Sequence, residues 1–396
     1  MESKLEHQLV LWPADDLNLR LQRVRRLMSE AGLDAVLLSD NTNAFYITGR
    51  VIRGYIYIEN SGRTLFFVRR PSGLLGDNIH QIRKPEDITA ILGNTAARTI
   101  GLELDSLAYS MVERLRKVFP DSEIGNASPV MRGARAVKTP LEIYLITESG
   151  VKQTEAYRHI PHLYQEGMTD IEFQIEIERE LRLGGCLGQF RVTGDDMEIY
   201  MGNVLTGDNA DAPSPYDFAM GGAGASPSLP VGADGTIIRP NAVVMVDVNG
   251  NFNGYMTDMT RCYSAGEPSA EAVKANELSR KICHAVADAA VAGAAASDLY
   301  KMAVAMADEA GLAQYFMGHR YQAGFIGHGL GITINEAPVL APRSRDVLEA
   351  GNVIAVEPKF VIPGVGAVGV ENTFVVQPSG PAKCLTLAPE EIVNLQ

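Results

Sequence analysis

Apolar residues recur every three to four positions from residue 17 to residue 31, and this spacing predicts an amphipathic helix. Gly32 ends that helix. The apolar runs that follow it, AVLLSD, GYIYIE, TLFFVRR and IGLELD, predict strands. Helix and strand therefore alternate in the first part of the chain, which predicts an α/β domain over residues 1–137.

A second domain is predicted for residues 138–396. In the segment KTPLE, Thr139 is a suitable N-cap, Pro140 suits the first helical position and Glu142 completes a capping box, so a long helix is expected to begin there. A second capping box follows in MTDIEFQ, ahead of another helical segment. Two further helices are expected over residues 269–293 and 297–310.

Residues 191–236 are rich in Gly, Pro, Asp and Asn and have no hydrophobic period. A segment of this length without regular structure is usually a functional loop, although a plain surface loop remains the alternative. The substrate contacts that this loop offers are Asp195, Asp196, Tyr216 and Asp217.

Two β-rich segments carry paired acids. The first, AVVMVDVNGNFNGYMTDMTRCYSAG, holds Asp247 and Asp258, and the second, NVIAVEPKFVIPGVGAVGVENTFVV, holds Glu357 and Glu371. A carboxylate in an apolar strand is rare unless it is paired or binds a metal ion. The two segments therefore predict one hairpin each and a shared site for four carboxylates.

His328 lies among glycines in GHGLGITINEAP. Four carboxylates with one imidazole suit a site for two divalent ions bridged by carboxylates. Such oxygen-rich donors with one imidazole favour Mn over a thiolate-type zinc site, with Co, Fe or Zn as the alternatives. Taken singly, each of these acids has an ordinary alternative as a turn or cap residue.

Composition narrows the class of protein. The chain has 396 residues, 21% of them charged, and a net charge of -13, which disfavours nucleic acid and anionic membranes as partners. The N-terminal residues lack a signal-peptide pattern, and no apolar run is long enough to span a bilayer. The four cysteines form no CxxC pair, which predicts a reducing cytoplasm.

The motifs VDVNGNFNGYMTDMTR, GHGLG, VEP and VENTF, in this order and after VKTPLEI, resemble the aminopeptidase P, prolidase and creatinase family. The resemblance implies a creatinase/prolidase-like N-terminal domain and a catalytic domain with the pita-bread fold. It implies two divalent ions, with the ligands falling on Asp247, Asp258, His328, Glu357 and Glu371. It also assigns proton transfer to Glu357 and predicts a cytoplasmic homodimer.

Three positions depart from the pattern of the peptidases in that family. Asn335 stands where they usually carry a second histidine, Val231 where a histidine usually follows a proline, and Gly369 where aminopeptidase P-like members often have arginine. An amide can donate a hydrogen bond but cannot carry a proton to a leaving amine. His319 is the nearest replacement in the sequence, and Asn335 and Val231 remain predicted substrate-binding positions.

Three functions are compatible with these residues. The first is hydrolysis of Xaa-Pro peptides with altered specificity. The second is metal-dependent hydrolysis or lysis of a small non-peptide substrate, as in creatinase or a DMSP lyase. The third is binding without catalysis, which the complete ligand set disfavours because buried unpaired acids are costly. The expected partner is thus a small peptide or another small molecule.

Overall fold

The computed structural model describes residues 7–93, 96–193, 199–216, 218 and 220–396. The chain divides into two compact units, Met1–Arg135 and Ala136–Gln396. Within the described residues, no helix combines the length and the apolar character that crossing a membrane requires. Each unit has its own hydrophobic core.

The first unit is built around a six-stranded mixed sheet with the strand order β4-β3-β2-β1-β5-β6. Its strands are β1 Ala35–Leu38, β2 Arg53–Glu59, β3 Thr64–Arg70, β4 Ile79–Gln81, β5 Thr99–Leu102 and β6 Glu123–Asn126. Its helices are α1 Ala14–Glu30, α2 Asn41–Thr48, α3 Asp87–Leu92, α4 Tyr109–Val118 and α5 Ser128–Ala136.

Apolar side chains of this sheet and of α3 and α4 form the core of the first unit. Parallel pairing of β1 with β5 and of β5 with β6 gives this unit the βαβ organisation that alternating helices and strands predict. The predicted helix over residues 17–31 is confirmed as α1, and Gly32 follows it with φ +68°. Glycine tolerates that left-handed backbone, which explains why the helix ends there.

The helices of the second unit carry the predicted caps. The Thr139 hydroxyl accepts a hydrogen bond from the backbone N–H of Glu142, whose side chain accepts in return from the N–H of Thr139. Thr169 and Glu172 repeat the arrangement. The helices are α6 Pro140–His159, α7 Asp170–Leu183, α8 Ala270–Ala289 and α9 Ala296–Glu309, with short 3-10 helices at Ile160–His162, Gly207–Asp211 and Ala313–Tyr315.

The strands of the second unit form a four-stranded sheet, β19-β11-β8-β7, a five-stranded sheet, β13-β12-β14-β17-β18, and the two-stranded pairs β10-β9 and β15-β16. They are β7 Gly202–Thr206, β8 Val243–Val248, β9 Gly250–Asn251, β10 Met256–Thr257, β11 Thr260–Ser264, β12 Gly327–Gly329, β13 Glu336–Val339, β14 Val353–Val356, β15 Lys359–Ile362, β16 Gly366–Gly369, β17 Asn372–Val375, β18 Lys383–Cys384 and β19 Val393–Asn394.

The two acid-bearing segments form antiparallel pairs, β8 with β11 and β14 with β17. Apolar side chains from these strands pack with α8 and α9 in one core and with α6 and α7 in another. One prediction needs correction: residues 191–236 are not without regular structure, because β7 lies within them and joins the edge of the four-stranded sheet. The strand was not predicted because β7 has few apolar residues and lies in a segment rich in Gly and Asp.

Candidate metal centre and cavity

Asp247 and Asp258 are fixed in position by the four-stranded sheet and α6. Asp247 lies on β8 opposite Thr260 of β11, and Asp258 lies just before β11. The hydroxyl of Tyr157 on α6 accepts a hydrogen bond from the N–H of Val248 (2.9 Å) and donates one to the carbonyl of Met259 (2.6 Å). One buried side chain therefore binds the residue after each aspartate, which holds the two carboxylates at a fixed separation.

Glu357 and Glu371 lie at one end of the five-stranded sheet. Glu357 follows β14 and Glu371 precedes β17, beside the pair formed by Val356 and Asn372. The buried guanidinium of Arg261 donates to the carbonyl of Glu371 (2.8 Å). The hydroxyl of Thr260 donates to Oε2 of Glu371 (2.7 Å). These contacts connect the second acid-bearing segment to the first.

His328 completes the group from the neighbouring strand β12, where it pairs with Ala355 of β14. Its Nε2 lies 3.4 Å from Oε1 of Glu357 and 3.9 Å from Oδ2 of Asp258. The structure thus brings together the residues that the sequence singled out. We refer to Asp247, Asp258, His328, Glu357 and Glu371 as the acidic cluster.

A lysine lies inside the acidic cluster. The Nζ atom of Lys359 donates to Oδ2 of Asp247 (2.8 Å), Oε2 of Glu357 (2.9 Å) and Oε2 of Glu371 (3.1 Å). Its side chain is 0% exposed. An ammonium group has three N–H donors, and here each meets a different carboxylate. The cluster therefore contains its own cation.

Gly369 leaves room for this lysine. The two residues face each other across the β15–β16 hairpin. A Cβ atom at position 369 would lie 2.9 Å from Cα and 3.1 Å from Cγ of Lys359, and 2.8 Å from the carbonyl oxygen of Pro358. Any larger residue would crowd the lysine stem, so the departure at Gly369 and the presence of Lys359 belong together.

Burial and mutual repulsion disfavour ionisation of two acids in the cluster. Burial, followed by the charge of Asp247, raises the pKa of Asp258 to about 7. Burial, followed by the charges of Asp258 and Glu357, raises the pKa of Glu371 well above its ordinary value. Four carboxylates in one buried site therefore need more positive charge than Lys359 alone provides.

Neighbouring charges in the cluster favour the charged forms of Lys359, His328 and Glu357. Burial would lower the pKa of Lys359, but Asp247, Glu357 and Glu371 outweigh it and raise that pKa. Burial would likewise lower the pKa of His328, but the contact with Glu357 outweighs it and raises the pKa to about 9. For Glu357, burial is outweighed first by Lys359 and then by His328, and its pKa falls to about 2.

The remaining donor atoms suit a divalent ion. Asp258, His328 and Glu371 each offer a ligand atom, and these atoms lie within 4.8 Å of one another. Oε1 of Glu371 and Oε1 of Glu357 are buried and accept no hydrogen bond from the described residues. Buried carboxylate oxygens without partners are costly, and a metal ion would satisfy them. Oxygen donors with one imidazole suit Mn or a similar ion.

The acidic cluster opens into a cavity of about 340 Å³. This volume is at the small end of the range for ligand sites. The other described residues that line the cavity are largely apolar and include Phe190, Val192, Ile199, Phe218, Met220, Phe325, Ile334 and Val339. The arrangement suits a small molecule with a polar group at the cluster and an apolar group against the wall.

Asn335 also lines this cavity, but its amide is already paired. Oδ1 accepts from the N–H of Thr193 and Nδ2 donates to the carbonyl of Thr193, both at 2.6 Å. The adjacent Ile334 N–H donates to the carbonyl of Arg191 (2.8 Å). Asn335 therefore holds residues 191–193 at the cavity wall, and its amide is not directed at a substrate.

Val231 and His319 do not line the cavity with the acidic cluster. Val231 is buried, and its N–H donates to the carbonyl of Leu229. His319 contacts Asp211 (Nδ1 to Oδ2, 2.9 Å) beside a separate small pocket that Tyr216 also lines. Neither side chain is among the described residues that line the cavity, and their role in substrate binding stays a prediction. Asp195, Asp196 and Asp217 lie outside the described residues.

Lys359 is the residue of the site that the sequence prediction missed. The signal was a lysine two residues after Glu357, in the otherwise apolar run NVIAVEPKFVI. Lysines are rarely fully buried unless paired, so a lysine in such a strand indicates a nearby carboxylate. That signal shows only that a partner exists. Because the three carboxylates come from three strands, their convergence could be seen only in the folded chain.

The mixed fold of the second unit and the carboxylate-rich centre in its strands define a pita-bread metallohydrolase. The family model for metallopeptidase family M24 matches residues 145–378, more than half of the chain. The model for the Creatinase/Prolidase N-terminal domain matches residues 20–137. The chain therefore belongs to metallopeptidase family M24, as the sequence motifs predicted.

Individual relatives extend over nearly the whole chain. The chain is 26% identical to the Xaa-Pro dipeptidase of Pyrococcus furiosus over 381 residues, which cover 94% of this chain and 99% of that protein. It is also 26% identical to the uncharacterized peptidase YqhT of Bacillus subtilis, over 95% of this chain and 100% of the relative. The solved Xaa-Pro dipeptidase of Bacillus anthracis shares the fold, with a TM-score of 0.79, 24% identity, and coverage of 96% of this chain and 100% of that one.

Proposed function

We propose that the protein is a metal-dependent hydrolase that cleaves an amide bond in a small substrate bearing an apolar group. The observation that supports this most directly is the cavity of about 340 Å³, which both the acidic cluster and apolar side chains line. A cavity of that volume suits a dipeptide-sized molecule. Membership of the M24 family adds the expectation of metal-dependent hydrolysis.

In this proposal Asp258, His328 and Glu371 hold a divalent ion. When bound, such an ion polarises a carbonyl and lowers the pKa of water. Glu357 has its Oε2 held by Lys359, while its Oε1 accepts no hydrogen bond from the described residues. Oε1 is thus the oxygen through which Glu357 holds or moves a proton, the role that the family resemblance gives this residue.

Two substrate classes are candidates. The names of the relatives favour Xaa-Pro dipeptides. The cavity wall favours small non-peptide amides, because among its described residues only His328 carries an imidazole and the Asn335 amide is paired with Thr193. An Xaa-Pro peptide would therefore lack a second imidazole to hold its scissile carbonyl, and for either class of amide the proton for the leaving nitrogen has to come from Glu357. We propose the non-peptide amides as the better substrates.

The test is a panel of Xaa-Pro dipeptides and small N-acyl amides, assayed with Mn²⁺ and compared with Asp258→Asn as the matched inactive control. We expect the amides to be hydrolysed at least about tenfold faster, in kcat/KM, than the dipeptides. Dipeptide turnover at about 10⁴ M⁻¹s⁻¹ or more would instead support a plain dipeptidase. Binding of panel members without any hydrolysis would contradict the hydrolase proposal and favour a binding homologue.

Two further expectations accompany this proposal. The free thiols of Cys186, Cys262, Cys283 and Cys384 are compatible with a reducing cytoplasm. The homodimer implied by the family resemblance stays a prediction, and light scattering coupled to size-exclusion chromatography would measure the assembly in solution.

A further inference from the structure

Lys359 is bound by the acidic cluster in the way that a metal ion would be. Its Nζ lies 2.8–3.1 Å from three carboxylate oxygens, one each from Asp247, Glu357 and Glu371. These oxygens come from separate strand segments and converge on a single point. Acidic side chains that converge on one buried point require a cation there, and the ammonium provides it.

The surrounding backbone fixes this lysine in place. The carbonyl of Lys359 accepts from the N–H of Met317 (2.8 Å), and the lysine N–H donates to the Met317 sulfur (3.4 Å). The missing side chain at Gly369 gives the stem its space. The lysine is therefore held from its backbone to its tip, and it is completely buried.

A second position in the cluster remains for a cation. His328 Nε2 faces Oε1 of Glu357 at 3.4 Å and Oδ2 of Asp258 at 3.9 Å. Oε1 of Glu371 is buried and accepts no hydrogen bond from the described residues. A carboxylate oxygen of Asp258, one of Glu371 and a ring nitrogen of His328 lie within 4.8 Å of one another.

We propose that the Lys359 ammonium permanently fills one of two cation positions in the acidic cluster, so that the protein binds a single divalent ion, held by Asp258, His328 and Glu371. The proposal concerns the number of ions and does not depend on the identity of the substrate. It replaces the pair of ions that the family resemblance implies.

Two divalent ions and the ammonium would compete for the same oxygens. Paired metal ions lie about 3.5–4 Å apart and share bridging carboxylates. A second ion would need the oxygens of Asp247, Glu357 and Glu371 that already accept from Lys359. Displacing the ammonium would leave a buried charge without partners, and that cost opposes binding of a second ion.

The experiment measures bound manganese per chain after saturation with Mn²⁺ and removal of the free ion, by elemental analysis and by native mass spectrometry. The variants are Lys359→Ala, which removes the ammonium and opens its space, and Lys138→Ala. Lys138 is the matched control, because its side chain is also 0% exposed and pairs with a carboxylate, Glu336, outside the cluster.

We expect one Mn²⁺ per chain in the wild type and in Lys138→Ala, and two in Lys359→Ala. Two ions in the wild type, or none, would overturn the proposal. A folded Lys359→Ala variant that still binds one ion would overturn it as well, because the ammonium would then not be what excludes the second ion. If Lys359→Ala does not fold, the stoichiometry of the wild type, checked by calorimetric titration with Mn²⁺, still decides. These readouts are independent of turnover, so a wrong substrate assignment leaves them unchanged.

Discussion

Two buried lysines of the second unit lie in contrasting surroundings. The Nζ of Lys138 donates to one carboxylate oxygen, Oε2 of Glu336 (3.1 Å), and to the carbonyl of Ala136 (3.3 Å). The Nζ of Lys359 donates to three carboxylates and has a fourth, Asp258, close by in the same cluster. Both side chains are 0% exposed, so burial alone does not distinguish them.

The difference lies in the balance of charge. Lys138 and Glu336 form one cation with one anion, so the charges of this ion pair balance. The acidic cluster holds four carboxylates against the ammonium of Lys359 and the imidazole of His328, and burial together with repulsion among the carboxylates raises the pKa of Asp258 and Glu371. A buried ion pair is thus structural where its charges balance, and indicates a ligand site where they do not.

Removing one carboxylate from each location should produce the largest difference in turnover. We expect Glu371→Ala to lower kcat/KM by at least about 10²–10³-fold, since it removes an ion ligand and a partner of Lys359. Glu336→Ala should lower stability but keep turnover within about threefold when assayed at a temperature where the variant is folded. Kinetics on the best substrate of the panel make the comparison.

Circular dichroism must show that both variants are folded. Near-wild-type turnover of Glu371→Ala would mean that the cluster is not the reaction centre. A loss of turnover in folded Glu336→Ala as large as that in Glu371→Ala would remove the distinction between the two locations.

Replacing each lysine by alanine should show a second difference between the two locations, in how far Mn²⁺ stabilises the variant. Without added ions, both Lys359→Ala and Lys138→Ala should lose about 3–5 kcal/mol of unfolding free energy, because each leaves buried carboxylates unpaired. Saturating Mn²⁺ should then stabilise Lys359→Ala more than it stabilises the wild type, by about 2.7 kcal/mol at an ion concentration 100 times Kd. Urea unfolding with and without Mn²⁺ measures this difference.

The Lys138→Ala variant should gain no more from Mn²⁺ than the wild type does. An equal gain in both lysine variants would show that the ion acts elsewhere on the protein. A gain in Lys359→Ala no larger than that of the wild type would show that no second cation position opens when the ammonium is removed.

Features that depend on nearby residues could be predicted from the sequence, whereas contacts between distant positions could not. The two capping boxes, α1 and the acid-bearing segments were predictable because each depends on residues within a few positions of one another. The residues of the acidic cluster were identified through motif order. The pairing of Lys359 with Asp247 joins positions 112 residues apart, and that of Asn335 with Thr193 joins positions 142 apart. No local pattern encodes contacts of that separation.

The departures from the family pattern show what spacing alone leaves open: Asn335 lines the cavity, while Val231 is not among the described residues that line it. Position in a motif predicted that Asn335 and Val231 face the substrate, because it assumes that side chains at matching positions point the same way. In the folded chain the Asn335 amide is directed to a backbone segment, and Val231 is buried in another loop. The role of Gly369 became clear only once Lys359 was found across the hairpin from it.

A smaller effect is expected from substitutions of Asn335, which lines the cavity. Asn335→Ala removes two hydrogen bonds to Thr193, worth about 1 kcal/mol each, so we expect KM to rise by at most about 30-fold with little change in kcat. Asn335→Asp keeps the acceptor for the Thr193 N–H but sets a carboxylate oxygen against the Thr193 carbonyl, so KM should rise at least as much as in Asn335→Ala. Steady-state kinetics on the best amide substrate check both.

Replacement by histidine at these positions should not restore dipeptide cleavage. Asn335→His loses the paired contact with Thr193, and Val231→His places a larger ring at a buried position. We therefore expect the double variant to be less active on Xaa-Pro dipeptides than the wild type. An increase would show that position 335 can reach the substrate after all.

The smallest effect is expected at His319, which lies outside the cavity with the acidic cluster. Burial would raise the pKa of Asp211, but the contacts with His319 and Arg320 outweigh it and hold that pKa below its ordinary value. A carboxyl with a lowered pKa adds stability above its unfolded-state pKa and loses it as the pH falls through the folded-state pKa. His319→Ala should therefore lower the free energy of unfolding by about 0.5–1 kcal/mol at neutral pH, because the pair is partly exposed, and by less in acid.

Turnover of His319→Ala should stay within about twofold of the wild type, and thermal unfolding at two pH values with parallel kinetics measures both effects. A drop in kcat of tenfold or more would instead assign His319 to the reaction and place the missing imidazole of the peptidases at this position.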